Sequence, residues 1–232
     1  MDIAGIVYSA STWVLPVLFA VTLHEAAHGW VAWKLGDDTA YKAGRVTFNP
    51  LKHIDPFGTI LLPAMLLLAS GGRMMFGAAK PVPVSFWRLR NVRRDTILVA
   101  AAGPGTNLIL AVASMALLAF MLPAGGPVEQ WIIRTLGLSV WFNILLAVFN
   151  MFPLPPLDGS RVVMALLPYT VAERYMRLER WGFAIIIAAL FVLPWLGGMA
   201  GMDLNIFWWL IGNPSEAIMR FLGGLFGLNL RA

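Results

Sequence analysis

Long apolar segments joined by short loops leave this chain few ways to fold. The loops alternate, one set rich in Lys and Arg and the other poor in cations. A soluble domain carries about 25% charged residues. Here charged residues make up 12% and hydrophobic residues 59%. The chain therefore reads as an all-α polytopic membrane protein of five to six transmembrane helices, with the lipid bilayer as its partner. Its net charge of +5 fits positive loops on one side of a membrane, not a nucleic-acid interface. With no cysteine, disulfides and thiolate metal sites are excluded, so any metal must be held by His, Asp or Glu.

Charge fixes the expected topology. No Lys or Arg precedes Lys34, so the first apolar segment lacks the basic start of a cleavable signal peptide and should stay as a spanning helix. That helix is expected from about Gly5 to Leu35, with its N-terminus outside and its C-terminal end in the cytosol, where Lys34, Lys42, Arg45 and Lys52 follow. Gly36 to Pro56 reads as turns with a short strand near Arg45 to Phe48. Phe57 to Ser70 is apolar but reaches only about 21 Å as a helix, short of a hydrocarbon core of about 30 Å. Cations lie on both sides of it, including Arg73, Lys80, Arg88, Arg90, Arg93 and Arg94. It is therefore expected to re-enter or lie at the interface. Ala79 to Val84 (A-K-P-V-P-V) suits either an exposed edge strand or a proline-rich connector. A short β-hairpin or re-entrant strand element is thus expected after the first helix.

Further helices are expected over about Asp95–Leu122, Gln130–Phe152, Trp181–Leu196 and Asn205–Leu228, the last spanning or lying in the interface. An amphipathic stretch at 161–180 separates the second and third of these. Residues 1–160 should form a core that includes the cytosolic or re-entrant region 36–93. Residues 161–232 should add the amphipathic stretch and accessory helices, with no separate soluble domain.

Within the first helix stands His24-Glu25-Ala26-Ala27-His28. Positions four apart share a helix face, so both imidazoles can grip one ion, with Glu25 beside it to activate a water. Three His and five Glu in 232 residues would produce this pattern by chance roughly once in a thousand sequences. Two histidines satisfied by helix packing are the plainer alternative. Ionisable groups at membrane depth are costly, which favours function.

A catalytic zinc takes three protein ligands and leaves a position open. Asp158, in Asn150-Met-Phe-Pro-Leu-Pro-Pro-Leu-Asp158-Gly159, follows a helix at its cytosolic end, level with His24 and His28. Its prolines break the helix and stiffen the backbone. Spacing alone equally permits a loop Asp near the start of the next helix, capping it. Glu173 and Glu179 are the rivals if another zincin pattern applies. His53 is a lone loop histidine and reads as structural.

These motifs together resemble the site-2 protease family of intramembrane zinc metalloproteases. The family pairs H-E-x-x-H with a later Asn…Pro-x-Asp-Gly, matched here by Asn150, Pro156, Asp158 and Gly159. A G-P-x-x-N element on an intervening helix is matched by Gly103 to Asn107. The stretches Gly44 to Pro50 and Ala79 to Val84 are similar to the compact bacterial and archaeal branch, which carries no PDZ or CBS domain. The resemblance implies one Zn2+ held by His24, His28 and Asp158, with Glu25 as the catalytic acid and base. It makes Asn107, Asn150 and Pro156 candidates for supporting substrate or transition state, with interhelical hydrogen bonding the alternative for both asparagines. It implies cleavage of membrane-anchored proteins within or near a transmembrane helix, in a prokaryotic cell membrane, from a site open to the cytosol. The competing class is a protease-derived scaffold or metal-binding protein without peptidase activity.

Overall fold

The computed structural model describes residues 3–61, 65, 80–122 and 125–228. Helix α1 (Ile3–Lys34) runs through Pro16 without ending. Helices α2 (Val92–Met121) and α3 (Pro127–Asn150) pack against it and against each other. Short helices α4 (Asp158–Leu166) and α5 (Tyr169–Met176) follow. Helix α6 (Glu179–Ala200) contains a π-type stretch at Ala188–Val192. Helix α7 (Asn213–Leu225) is preceded directly by another at Trp208–Gly212.

Four of these helices, in α1, α2, α3 and α6, are long and apolar enough to cross a membrane. The protein is accordingly an integral membrane protein. The expected fifth span at 205–228 does not qualify. It is helical, but Asn213, Pro214, Glu216 and Arg220 lower its hydropathy.

The starts of α2 and α3 show local causes. Asn91 accepts the Arg94 N–H at 3.1 Å, while Asp95 accepts the Asn91 N–H at 2.9 Å, a reciprocal pair that closes the first turn of α2. At α3, Pro127 needs no N–H partner and Glu129 accepts from Gly125 and Gly126 at 2.7 and 2.9 Å.

No β-strand occurs among the described residues, which corrects the expected hairpin or strand element. Val46 to Phe48 forms bends where the strand was expected. Residues 80–85 belong to no helix or ladder; Pro81 and Pro83 remove every second donor. Phe57 to Ser70 falls mainly outside the described residues; Pro56–Leu61 is a helical turn. Ala79 is also outside them.

A different device holds the 80–91 segment. Asp37, fully buried just after α1, accepts the Thr39 N–H at 3.0 Å through one oxygen and the Ser85 N–H at 2.6 Å through the other. Arg90 N–H donates to the Leu35 carbonyl at 3.1 Å, and Lys80 N–H to that of His53 at 3.0 Å. The segment is thereby strapped across the end of α1, beside His24, Glu25 and His28.

Candidate metal centre

His24 and His28 lie one turn apart on α1, each less than a tenth exposed. Their Nε2 atoms are 3.0 Å apart. Asp158 Oδ2, at the first residue of α4, is 3.1 Å from His24 Nε2 and 3.3 Å from His28 Nε2. The three atoms form a nearly equilateral triangle. Tetrahedral zinc with bonds of about 2.0–2.1 Å requires neighbouring ligand atoms about 3.3 Å apart.

The hydrogen bonds behind the histidines decide which nitrogens face this triangle. His28 Nδ1 donates to the Val99 carbonyl at 2.7 Å. His24 Nδ1 is 2.6 Å from Asn107 Oδ1. Asn107 Nδ2 donates to the Ala20 carbonyl at 3.2 Å and to Asn143 Oδ1 at 2.8 Å, which leaves Oδ1 as the acceptor. Both Nδ1 atoms therefore carry the proton, and neutral rings turn their Nε2 lone pairs towards one another and towards a carboxylate oxygen. Asp158 Oδ2 is buried and has no conventional donor. Three lone pairs at this spacing repel unless a cation lies between them. The donor set and its spacing fit a divalent ion such as zinc.

Asp158 does not act as a helix cap. Leu157 occupies the cap position of α4, and the carboxylate turns to the histidines instead.

Room for the centre depends on Gly103 of α2. A Cβ there would lie 2.4 Å from His28 Nε2 and 2.6 Å from His24 Nε2. The sequence motif around Asn107 contains this glycine, yet no periodicity marks its steric role.

A cavity of about 300 Å³ adjoins the triangle. Glu25, Asn150, Pro156, Val82, Val84 and Arg161 contribute to its wall with the three ligands. Glu25 Oε2 accepts the Val82 N–H at 2.7 Å, so the strap fixes the orientation of this carboxylate. Asn150 Nδ2 bonds the Leu146 carbonyl of its own helix at 3.0 Å.

Asn107 is fully buried between α1, α2 and α3 and does not line the cavity. Its contacts are interhelical. His53 is also absent from the cavity wall; it is buried, with Nε2 3.1 Å from the Thr47 carbonyl.

Arg161, three residues after Asp158, reads in the sequence only as a cation of a cytosolic stretch. Its guanidinium meets Glu179 Oε1 at 3.3 Å and sits 5.5 Å from the centre of the Phe86 ring, joining α4, α6 and the strap. Glu173 pairs with Arg177 at 3.0 Å, so neither rival carboxylate completes the triangle.

Comparison with known proteins converges on the same chemistry. The model of peptidase family M50 matches residues 12–125 and 119–193. YwhC of Bacillus subtilis (strain 168), whose name marks a candidate zinc metalloprotease, is 39% identical over 219 residues, covering 92% of this chain and 91% of that protein. Rip2 of Mycolicibacterium smegmatis, similarly named, is 34% identical over 177 residues, covering 75% of this chain and 64% of that protein. MJ0611 of Methanocaldococcus jannaschii, also so named, is 32% identical over 93 residues, covering 39% of this chain and 46% of that protein. No solved structure gives a significant match.

Proposed function

This chain belongs to peptidase family M50, the site-2 protease family of zinc metalloproteases, and we propose that it is an endopeptidase cutting membrane-anchored proteins within or near a transmembrane helix. The observation that carries the reading is the depth of the ligand triangle. His24 stands about 15 Å along α1 from Lys34, inside an apolar span. A peptide bond reaching it must enter the membrane domain.

In this reading His24, His28 and Asp158 hold the zinc. Zinc so held supplies Lewis acidity, lowering the pKa of a water towards about 7 and polarising a carbonyl. Glu25 takes the proton from the attacking water as the new oxygen–carbon bond forms. It then delivers that proton to the amide nitrogen as the carbon–nitrogen bond breaks. The Val82 N–H supports this role by keeping Glu25 aimed at the cavity. Asn150 and Pro156, which line the cavity, would meet substrate in this reading, whereas Asn107 would act through His24. A helical substrate must unwind to present its carbonyl. The positive loops favour a site opening towards the cytosol of a prokaryotic cell membrane, with residues 1–160 as the catalytic core.

Purified protein in detergent, incubated with a panel of single-span substrates, tests the proposal. Wild type should cleave within or beside the span, and Glu25→Gln should not, with about one zinc in each. Cleavage confined to soluble polypeptides would reject the intramembrane reading. Equal cleavage by Glu25→Gln would reject the site.

A further inference from the structure

Asp158 is a ligand whose position depends on a loop. The preceding residues, Pro153 to Leu157, form turns between α3 and α4 rather than a helix. What holds this loop comes from outside the core. Gly182 of α6 lies so close to Pro155 that an added Cβ would be 1.7 Å from the Pro155 carbonyl oxygen, 2.6 Å from its carbon and 2.9 Å from Pro156 Cδ. Backbone and a proline ring cannot swing aside as a long side chain can. Tyr175 of α5 donates its hydroxyl to the Pro153 carbonyl at 3.0 Å. Leu154 and Leu157 share one small apolar cavity with Ile186 and Leu190 of α6. The loop is thus held by direct backbone contact, a hydrogen bond and apolar packing, the last reaching Leu157, next to the ligand.

We infer that Gly182 and Tyr175 are positioning residues for the metal: they brace the Pro153–Leu157 loop and thereby hold Asp158 at ligand distance from His24 and His28. This rests on the metal reading above. It gives α5 and α6 a role in the centre although neither contributes a ligand. Residues outside the ligand set that orient ligands typically govern metal affinity by about 10–100-fold.

Zinc affinity of the full chain in detergent, measured by chelator competition, tests the inference. Gly182→Ala should bind zinc about 10–100-fold more weakly than wild type. Gly198→Ala is the control, because it lies on the same helix with nothing within 4 Å of an added Cβ; it should bind like wild type. Cobalt in place of zinc should show a changed visible spectrum in Gly182→Ala and an unchanged one in Gly198→Ala. Wild-type zinc affinity in Gly182→Ala, even with lowered metal-free stability, would overturn the inference. If Gly182→Ala cannot be recovered folded, Tyr175→Phe decides. Weakening of about tenfold or more supports the brace, and unchanged affinity overturns it. Should wild type bind zinc no better than His24→Ala, the metal reading itself fails, a result separable from failure of the brace.

Discussion

Asn107 Oδ1 accepts from His24 Nδ1 at 2.6 Å, and the same amide donates across to Asn143 Oδ1 at 2.8 Å. One side chain thereby orients a ligand and ties three helices together. Asn107→Ala should weaken zinc binding about 10–100-fold, and added zinc should restore much of the activity. Chelator competition and zinc titration of the cleavage rate check this. A raised KM at saturating zinc, with unchanged zinc affinity, would instead indicate direct substrate contact.

Gly103→Ala should abolish zinc binding. The added methyl would stand 2.4–2.6 Å from the ligand rings, which are held from behind by Asn107 and Val99. Gly105→Ala, with nothing within 4 Å of the new Cβ, is expected to behave as wild type. Metal analysis of the two purified variants distinguishes these outcomes.

Glu25→Gln should retain zinc, because Glu25 lies outside the ligand triangle. Its amide oxygen can still accept from Val82, so orientation survives while the proton acceptor is lost. Loss of general acid–base assistance should lower kcat by about 10²–10⁴-fold. Single-turnover cleavage with parallel metal analysis measures both effects.

Val82→Pro removes the N–H that Glu25 accepts at 2.7 Å. Cleavage should fall at least about tenfold, while zinc content stays at that of wild type. Val84→Pro removes a donor that is not bonded to Glu25 and should be milder. Equal losses in the two variants would point to backbone pairing with substrate along the whole segment instead.

The candidate ligands His24 and His28 are legible because a short pattern puts them on one helix face, whereas spacing leaves Asp158 open as a helix cap and only the resemblance brings it to them. Long spans were legible for the same reason, since apolar length is a local property. The sequence leaves the strap open between edge strand and connector because alternating prolines fit both readings. Its real anchors, Asp37 to Ser85 and Glu25 to Val82, join residues almost fifty or more positions apart. Gly103, Arg161 and Gly182 matter through what they approach in space, which no local pattern records. The last helix reads as a fifth span by its apolar length, with its aromatics favouring the interface instead, and Glu216 and Arg220 make it too polar to qualify as a span.

The hydrogen bonds around Asn107 continue through the membrane domain. Asn143 donates to the Ser139 carbonyl at 2.9 Å, and Ser139 Oγ meets Ser114 Oγ at 2.9 Å. These links make the metal centre a gauge of helix register. Sliding α1 past α2 by one turn, about 5.4 Å, would part His24 from Asn107 and His28 from Val99 together. Only one vertical alignment of α1 against α2 therefore keeps both imidazoles held from behind and facing Asp158.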